Sequence, residues 1–212
     1  MSELGAMLER LMLEHRRIGS PLPAYLRPGA DGAVIRQRVE DLVAADPPAE
    51  LIELFGWHDG TDHARWKADD AGVGYARFFG DAYFAPFADC EGAYRQAIEI
   101  DESTALFAPD GLDASIWRKT WFPALSQGGE TYAIECQAGS MRQRVFDVVW
   151  HPPIDTPPVP RFLDLTHLVS SVVRRFEAGG YWWDPSTRFL DERPDILLPL
   201  YEQERQEVAG TL

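Results

Sequence analysis

The sequence predicts an α+β fold, in which a mostly antiparallel sheet of about five to six strands carries helices packed on it. Helical periodicity dominates the first third of the chain, whereas alternating and valine-rich stretches dominate residues 119–150. A regular alternation of strands and helices, as in a doubly wound sheet, is missing from this order. We therefore expect N-terminal helices, a central antiparallel sheet and a C-terminal helical tail.

Two amphipathic helices are predicted near the N-terminus, separated by a surface connection over residues 19–32 that is rich in Pro and Gly. The second helix carries apolar residues at 35, 39, 42 and 43. The apolar face of the first helix consists of Leu4, Leu8, Leu11, Met12 and His15.

A third helix is predicted inside residues 46–60, the best-delimited stretch of the chain. Asp46 precedes a proline and is expected to cap the helix, with Pro47 and Pro48 in the first turn. Gly60 is expected to end the helix as a C′ glycine. This arrangement would deliver Trp57, His58 and Asp59 to a loop.

The middle of the chain is predicted to be mixed. Residues 61–80 should form a long loop or a short hairpin, and residues 82–87 a strand. Asp89 is expected to cap the helix that follows. Residues 130–137 and 144–150 alternate or are rich in valine, which predicts an antiparallel hairpin.

A strongly amphipathic helix is predicted from the apolar positions between 165 and 176, and residues 184–212 should form one or two short helices. We expect a single domain over residues 1–212. Its core would span about residues 46–183, with residues 1–45 as an N-terminal helical extension and residues 184–212 as a C-terminal one.

The net charge of −14 opposes nucleic acid or an anionic membrane as the main partner, because both require a basic surface. The charge suits a basic protein partner, although an acidic surface that only maintains solubility explains it equally well. Two cysteines, Cys90 and Cys136, are too few for a disulfide framework. Without a signal peptide or a membrane-spanning apolar run, the expected location is the cytoplasm.

Five motifs follow one another in an order that resembles the SMI1/KNR4 domain of the SUKH superfamily, over about residues 46–183. The first two are the proline-led helix ending in Trp57-His58-Asp59-Gly60 and the segment Phe84-Ala-Pro-Phe87 before a helix. The third and fourth are Trp121-Phe122-Pro123 and the Gly128-Gly129 turn before the strands at 131–136 and 145–150. The last is the helix from Leu163 with Glu177-Ala-Gly-Gly-Tyr181.

This resemblance implies an α+β fold and a binding function without catalytic residues. Many bacterial members of that family look like immunity proteins that neutralise nuclease or deaminase toxins of polymorphic or contact-dependent systems. The resemblance therefore implies a basic toxin domain as partner, with no cofactor. Fungal relatives instead imply a regulatory or scaffolding module linked to cell-wall synthesis.

The candidate partner-binding residues are three tryptophans and four acids: Trp57, Asp59, Asp62, Asp69, Asp70, Trp182 and Trp183. Exposed tryptophans would anchor a partner, or stack on a carbohydrate or another small molecule. The acids, together with Asp81 and Asp89, surround the 61–80 loop and could mimic phosphates for a basic nuclease. The alternative is structural: Trp57 would pack in the core, Asp59 would hold a turn, and the acids would belong to a solvated loop.

Catalysis and metal binding have little sequence support. His58 and His63 with Asp59 and Asp62 match no zinc-ligand spacing, so no metal site is expected. A lone cysteine such as Cys136 in a valine-rich hairpin is more typical of a small buried hydrophobe than of a nucleophile. Dinucleotide-binding and P-loop motifs are also missing from the sequence, and we expect no enzymatic activity.

Overall fold

The structure is a computed structural model, which describes residues 1–72, 76–105, 117–127, 130–139, 141–149 and 159–211. These residues form seven α-helices and eight strands in small antiparallel sheets, which confirms the predicted α+β class.

The helices are α1 (Glu3–Arg17), α2 (Gly32–Val43), α3 (Ala49–Trp57), α4 (His63–Ala68), α5 (Phe87–Ala105), α6 (Leu165–Glu177) and α7 (Pro194–Ala209). The strands are β1 (Leu26–Pro28), β2 (His58–Thr61), β3 (Trp121–Gln127), β4 (Glu130–Glu135), β5 (Val145–Val149), β6 (Pro160–Phe162), β7 (Tyr181–Asp184) and β8 (Phe189–Glu192). A short 3₁₀ helix, Leu22–Tyr25, precedes β1.

The eight strands are distributed over three antiparallel sheets, instead of the single sheet of five to six strands that the sequence suggested. The largest sheet has the order β3-β4-β5-β6, and two smaller ones pair β1 with β2 and β7 with β8. The β4–β5 hairpin was predicted, and its register places Ile134 opposite Val145. The predicted turn at Gly128-Gly129 lies outside the described residues.

Helix α6 is the central helix of the fold. Asp164 caps it by accepting a hydrogen bond from the main-chain N–H of His167, and its apolar face is buried. Helix α1 packs along α6 and buries Leu4, Leu8 and Leu11 almost completely. The N-terminal helix is therefore part of the core. One cluster of buried hydrophobic residues includes members from Leu4 on α1 to Leu197 on α7.

Several local predictions around residues 46–60 were wrong. Helix α3 begins at Ala49, and Asp46 forms ion pairs with Arg36 and Arg142 instead of capping the helix. The helix ends at Trp57, so Gly60 lies in β2. Gly60 has φ +72°, and a Cβ there would lie 2.4 Å from the main-chain N of Pro86. The glycine is therefore required by a close approach of two backbones.

The predicted strand over residues 82–87 is absent from the described residues and is replaced by two isolated bridges, one of which joins Tyr83 to Ser126. Pro86 has no N–H for a strand ladder, and α5 already begins at Phe87. The carboxylate of Asp59 accepts a hydrogen bond from the Phe87 N–H at 2.8 Å. A residue far away in sequence thus caps α5, a role that was predicted for Asp89.

The two predicted irregular regions contain short regular elements. Residues 19–32 include the 3₁₀ helix and β1, with Leu22 and Tyr25 buried. Residues 61–80 include α4, and the tail contains β8 and one helix of 16 residues. In the described part of the chain, no helix combines the length and apolar character needed to cross a bilayer.

Candidate functional site

Helix α4 organises the region where most of the predicted binding residues meet. Asp62 caps it by accepting a hydrogen bond from the Arg65 N–H at 2.9 Å. Trp66, which is 2% exposed, fixes the helix to the body through an edge contact with the ring of Tyr25. The carboxylate of Asp62 therefore holds the helix, as expected for a capping residue.

Asp69 and Asp70 directly follow α4 and keep exposed side chains. Asp69 lies 3.4 Å from the guanidinium of Arg65, accepts a hydrogen bond from Tyr25 Oη at 3.1 Å, and is 46% exposed. Asp70 is 75% exposed and forms an ion pair with Arg188, whose guanidinium also donates to the Asp70 main-chain carbonyl at 2.7 Å. Each acid is thus paired with an exposed cation.

The β7–β8 hairpin brings Trp183 next to α4. Asp184 shapes the turn by accepting a hydrogen bond from the Ser186 N–H at 2.7 Å, and Arg188 stands in the left-handed region with φ 55°. The half-buried ring of Trp183 contacts Trp66 edge-on, with 6.1 Å between ring centroids. Trp182 is also half-buried and lies under the guanidinium of Arg193 at 5.3 Å.

We call the surface formed by Asp62, Asp69, Asp70 and Trp183 the α4 face. It contains four of the seven predicted binding residues. Arg65 and Lys67 are exposed on the same helix, and Arg188 joins it from the hairpin. Its charges are consequently mixed, which differs from the purely acidic patch that the sequence suggested.

Trp57 is the last residue of α3 and Asp59 lies in β2, and both side chains are used for packing. The indole N–H of Trp57 donates to Glu9 at 2.9 Å, and its ring packs against Phe78. Asp59, whose side chain is 17% exposed, pairs with Arg27 at 3.2 Å in addition to capping α5. Trp57 thus packs against the core, as in the structural alternative, whereas Asp59 caps a distant helix instead of holding its own turn.

The groups considered for metal binding or nucleophilic catalysis are engaged or buried. His58 Nδ1 lies 2.6 Å from the main-chain carbonyl of Arg27. Burial raises the pKa of the Cys136 thiol to about 12 and raises that of Cys90 further, which disfavours the thiolate. Among the described residues, no group of three or more His, Cys, Asp or Glu side chains could hold a metal ion.

A second polar cluster, which the sequence analysis did not identify, is buried where α7 packs against α6. Arg175 Nε donates to Glu204 Oε1 at 3.0 Å, and both side chains are 1% exposed. Arg161 approaches the other oxygen of Glu204 at 3.5 Å, and Asp81 lies 3.7 Å from Arg175. Burial raises the pKa of Asp81, while the positive charge of Arg175 opposes that increase.

Tyrosine hydroxyls complete this cluster. Tyr132 and Tyr201 lie 3.4 and 3.5 Å from Asp81 Oδ2, and the hydroxyls of Tyr181 and Tyr201 are 3.3 Å apart. The guanidinium of Arg175 also stacks on the ring of Tyr201 at 4.2 Å. The charges and hydroxyls largely satisfy one another, so the arrangement holds α7 in place and gives it a defined position.

One sequence signal could have revealed this cluster. Arg175 follows Leu168 by seven residues and Val172 by three, so it lies on the apolar face of the predicted helix. A charged residue on such a face requires a buried partner. Its partner Glu204 could not be identified, because the tail was expected to form only short helices.

Comparison with known proteins adds no assignment: no protein-family model matches the chain, and no curated protein matches it. The resemblance to SMI1/KNR4 domains therefore rests on the order of the motifs in this sequence.

Proposed function

We propose that this protein is a non-catalytic binding protein of the immunity type, which neutralises a basic toxin domain of the nuclease or deaminase class. The order of motifs shared with SMI1/KNR4 domains supports the class. The net charge of −14 supports a basic partner, because charge complementarity accelerates association and disfavours wrong partners.

The observation that carries the proposal is the pairing of exposed carboxylates with an aromatic ring on the α4 face. Asp69 and Asp70 directly follow α4, Trp183 contacts Trp66 of the same helix, and aromatic residues are the usual anchors of protein interfaces. The ion pairs of Asp69 and Asp70 are exposed, and such pairs contribute only about 0–1 kcal/mol. Lysine or arginine side chains of a partner can therefore replace Arg65 and Arg188 at low cost.

The state of the two cysteines supports a cytoplasmic location within this proposal. Both thiols are free and buried, as in proteins that fold in a reducing compartment. Their raised pKa values also support a binding role over thiol catalysis.

The proposal is tested by co-expression with candidate toxin domains from neighbouring genes. Cells that produce the toxin should survive when the wild-type protein is present, and the two proteins should purify as a complex. Protection should fall for the variant Asp69→Asn/Asp70→Asn and persist for Asp41→Asn/Glu202→Gln, which removes the same charge from α2 and α7. Failure of the wild-type protein to protect or to bind would overturn the proposal. A complex with cell-wall synthesis proteins instead would favour the regulatory alternative.

A further inference from the structure

Helix α7 is attached to the body of the protein mainly by polar contacts. Only two of its 16 residues are buried apolar side chains, Leu197 and Val208, whereas α6 buries six such side chains within 13 residues. Pro199 lies inside α7 and has no N–H for the hydrogen bond that a helix makes to its preceding turn. Segments with few buried apolar contacts open more readily than the core of a protein.

The polar contacts that hold α7 include two glutamates, which meet arginines of α6 and β6. Glu204 accepts a hydrogen bond from Arg175 at 3.0 Å and lies 3.5 Å from Arg161. One turn further along α7, the two oxygens of Glu207 each accept a hydrogen bond from Arg174 at 2.9 Å. An acidic side of α7 therefore lies on a basic surface of the body.

The surface beneath α7, which we call the α7 seat, consists of basic and aromatic side chains: Arg161, Arg174, Arg175 and Tyr181. The ring of Tyr201 lies 4.2 Å from the guanidinium of Arg175, and its hydroxyl lies 3.3 Å from that of Tyr181. Tyr201, Glu204 and Glu207 follow one another at intervals of three residues, so they share one face of the helix. The α7 seat thus recognises one aromatic ring and two carboxylates at a fixed helical spacing.

The charges on both sides of this contact have other partners when α7 is away. Arg175 keeps Asp81, whose carboxylate lies 3.7 Å from the guanidinium, while Glu204 and Glu207 gain water. Buried ion pairs give little net stabilisation, because the loss of water cancels much of their attraction. Release of α7 therefore costs less free energy than global unfolding, which also exposes the apolar face of α6.

We propose that α7 is a releasable strap, which leaves the α7 seat as a unit while α6 and the β3–β6 sheet stay folded, and that the uncovered seat binds an acidic amphipathic helix. The pivot is the start of α7, where the Arg193 N–H donates to the Gly180 carbonyl at 2.8 Å. This inference rests on the contacts of α7 and does not depend on the proposed toxin.

Native-state hydrogen exchange of the full-length ¹⁵N-labelled protein, measured by NMR at a series of low urea concentrations, tests the release. We expect the most protected amides of α7 to share one urea-dependent opening, which occurs at least about ten-fold more often than the opening of α6. Exchange of α7 and α6 through one common opening would overturn the proposal, and so would exchange in α7 that does not depend on urea.

Variants of α7 provide the second measurement. Glu204→Gln should accelerate exchange in α7 by about 100-fold or more, because Arg175 loses its buried partner in the closed form. Glu202→Gln removes the same charge from the exposed side of α7 and should change the exchange by less than about three-fold. Equal effects of the two variants would overturn the role of Glu204. If Glu204→Gln fails to fold, the measurement on the wild-type protein still decides whether α7 is released.

A fluorescent peptide with the sequence of residues 193–211 probes the α7 seat. It should bind the full-length Glu204→Gln variant at least about ten-fold more tightly than the wild-type protein, because the variant's own α7 competes less strongly. The same peptide with E204Q and E207Q should bind neither protein. No binding of the acidic peptide to the variant, or equal binding of both peptides, would overturn the α7 seat as a site for acidic helices.

Discussion

Arg175 of α6 and Glu204 of α7 form an ion pair in the interior of the protein, with each side chain 1% exposed. Helix α7 buries few apolar side chains, namely Leu197 and Val208, and its third buried residue is Glu204 itself. The position of α7 therefore depends on polar contacts as well as on apolar packing. The cost of removing one partner from such a pair is large, since the other charge remains buried.

We predict that Arg175→Met lowers the free energy of unfolding by about 3–5 kcal/mol, because Glu204 is left as an unpaired buried charge. The double variant Arg175→Met/Glu204→Leu should recover most of this loss. Urea denaturation followed by circular dichroism measures both. Lys119→Met, which removes one partner of an ion pair whose side chains are 74% and 64% exposed, is the control and should cost less than about 1 kcal/mol. If Arg175→Met is no less stable than Lys119→Met, the buried Arg175–Glu204 pair does not stabilise the fold as we expect.

His15 gives the protein a predictable pH dependence. It is fully buried on α1, its Nε2 lies 2.7 Å from the Phe78 carbonyl, and its ring stacks on that of Phe78. Burial lowers its pKa from 6.5 to about 4. Between these two values the unfolded chain binds a proton that the folded protein does not.

We therefore predict that His15 reduces stability by about 3 kcal/mol as the pH falls from 6.5 to 4. His15→Leu should have lower stability at neutral pH, because the Phe78 carbonyl loses its donor, but a smaller decrease across this pH range. Urea denaturation at a series of pH values measures the difference between the two slopes. Parallel curves for the wild type and the variant would refute the role of His15.

Substitution of Gly60 tests whether the backbone of β2 closely approaches the segment before α5. Gly60→Ala should destabilise the protein by about 1–3 kcal/mol, because alanine is strained at φ +72° and its Cβ would meet the Pro86 backbone. Gly92→Ala is the matched control in the exposed interior of α5, where a Cβ meets nothing within 4 Å. It should stabilise the protein by about 0.5–1 kcal/mol. Thermal unfolding of both variants measures these changes in stability. Equal changes for Gly60→Ala and Gly92→Ala would argue against the close contact between the Gly60 and Pro86 backbones.

The local sequence predicted those helices and strands whose apolar side chains recur at one regular spacing. The apolar face of α6 and the alternation of β4 and β5 each follow from side chains that share a buried surface. The placement of His15 on the apolar face of α1 was predicted in the same way.

The features that depend on contacts between distant residues could not be predicted. Asp59 caps α5 across 28 residues, and Glu204 pairs with Arg175 across 29. Capping rules examine only the nearest residues, which is why Asp46 and Asp89 were assigned caps. Likewise, Arg188 adds to the positive charge of the α4 face from a hairpin more than a hundred residues away, whereas Arg65 and Lys67 lie on α4 itself.

We propose that the α4 face binds a basic toxin domain. The most direct test of this proposal is the dissociation constant of the purified complex with the toxin domain that the co-expression experiment identifies, measured by calorimetry at two salt concentrations. We predict that Asp69→Asn/Asp70→Asn weakens binding by about ten-fold or more and reduces its salt dependence, while Asp41→Asn/Glu202→Gln does not. Equal affinities of the wild-type protein and of both double variants for the toxin domain would contradict this proposal.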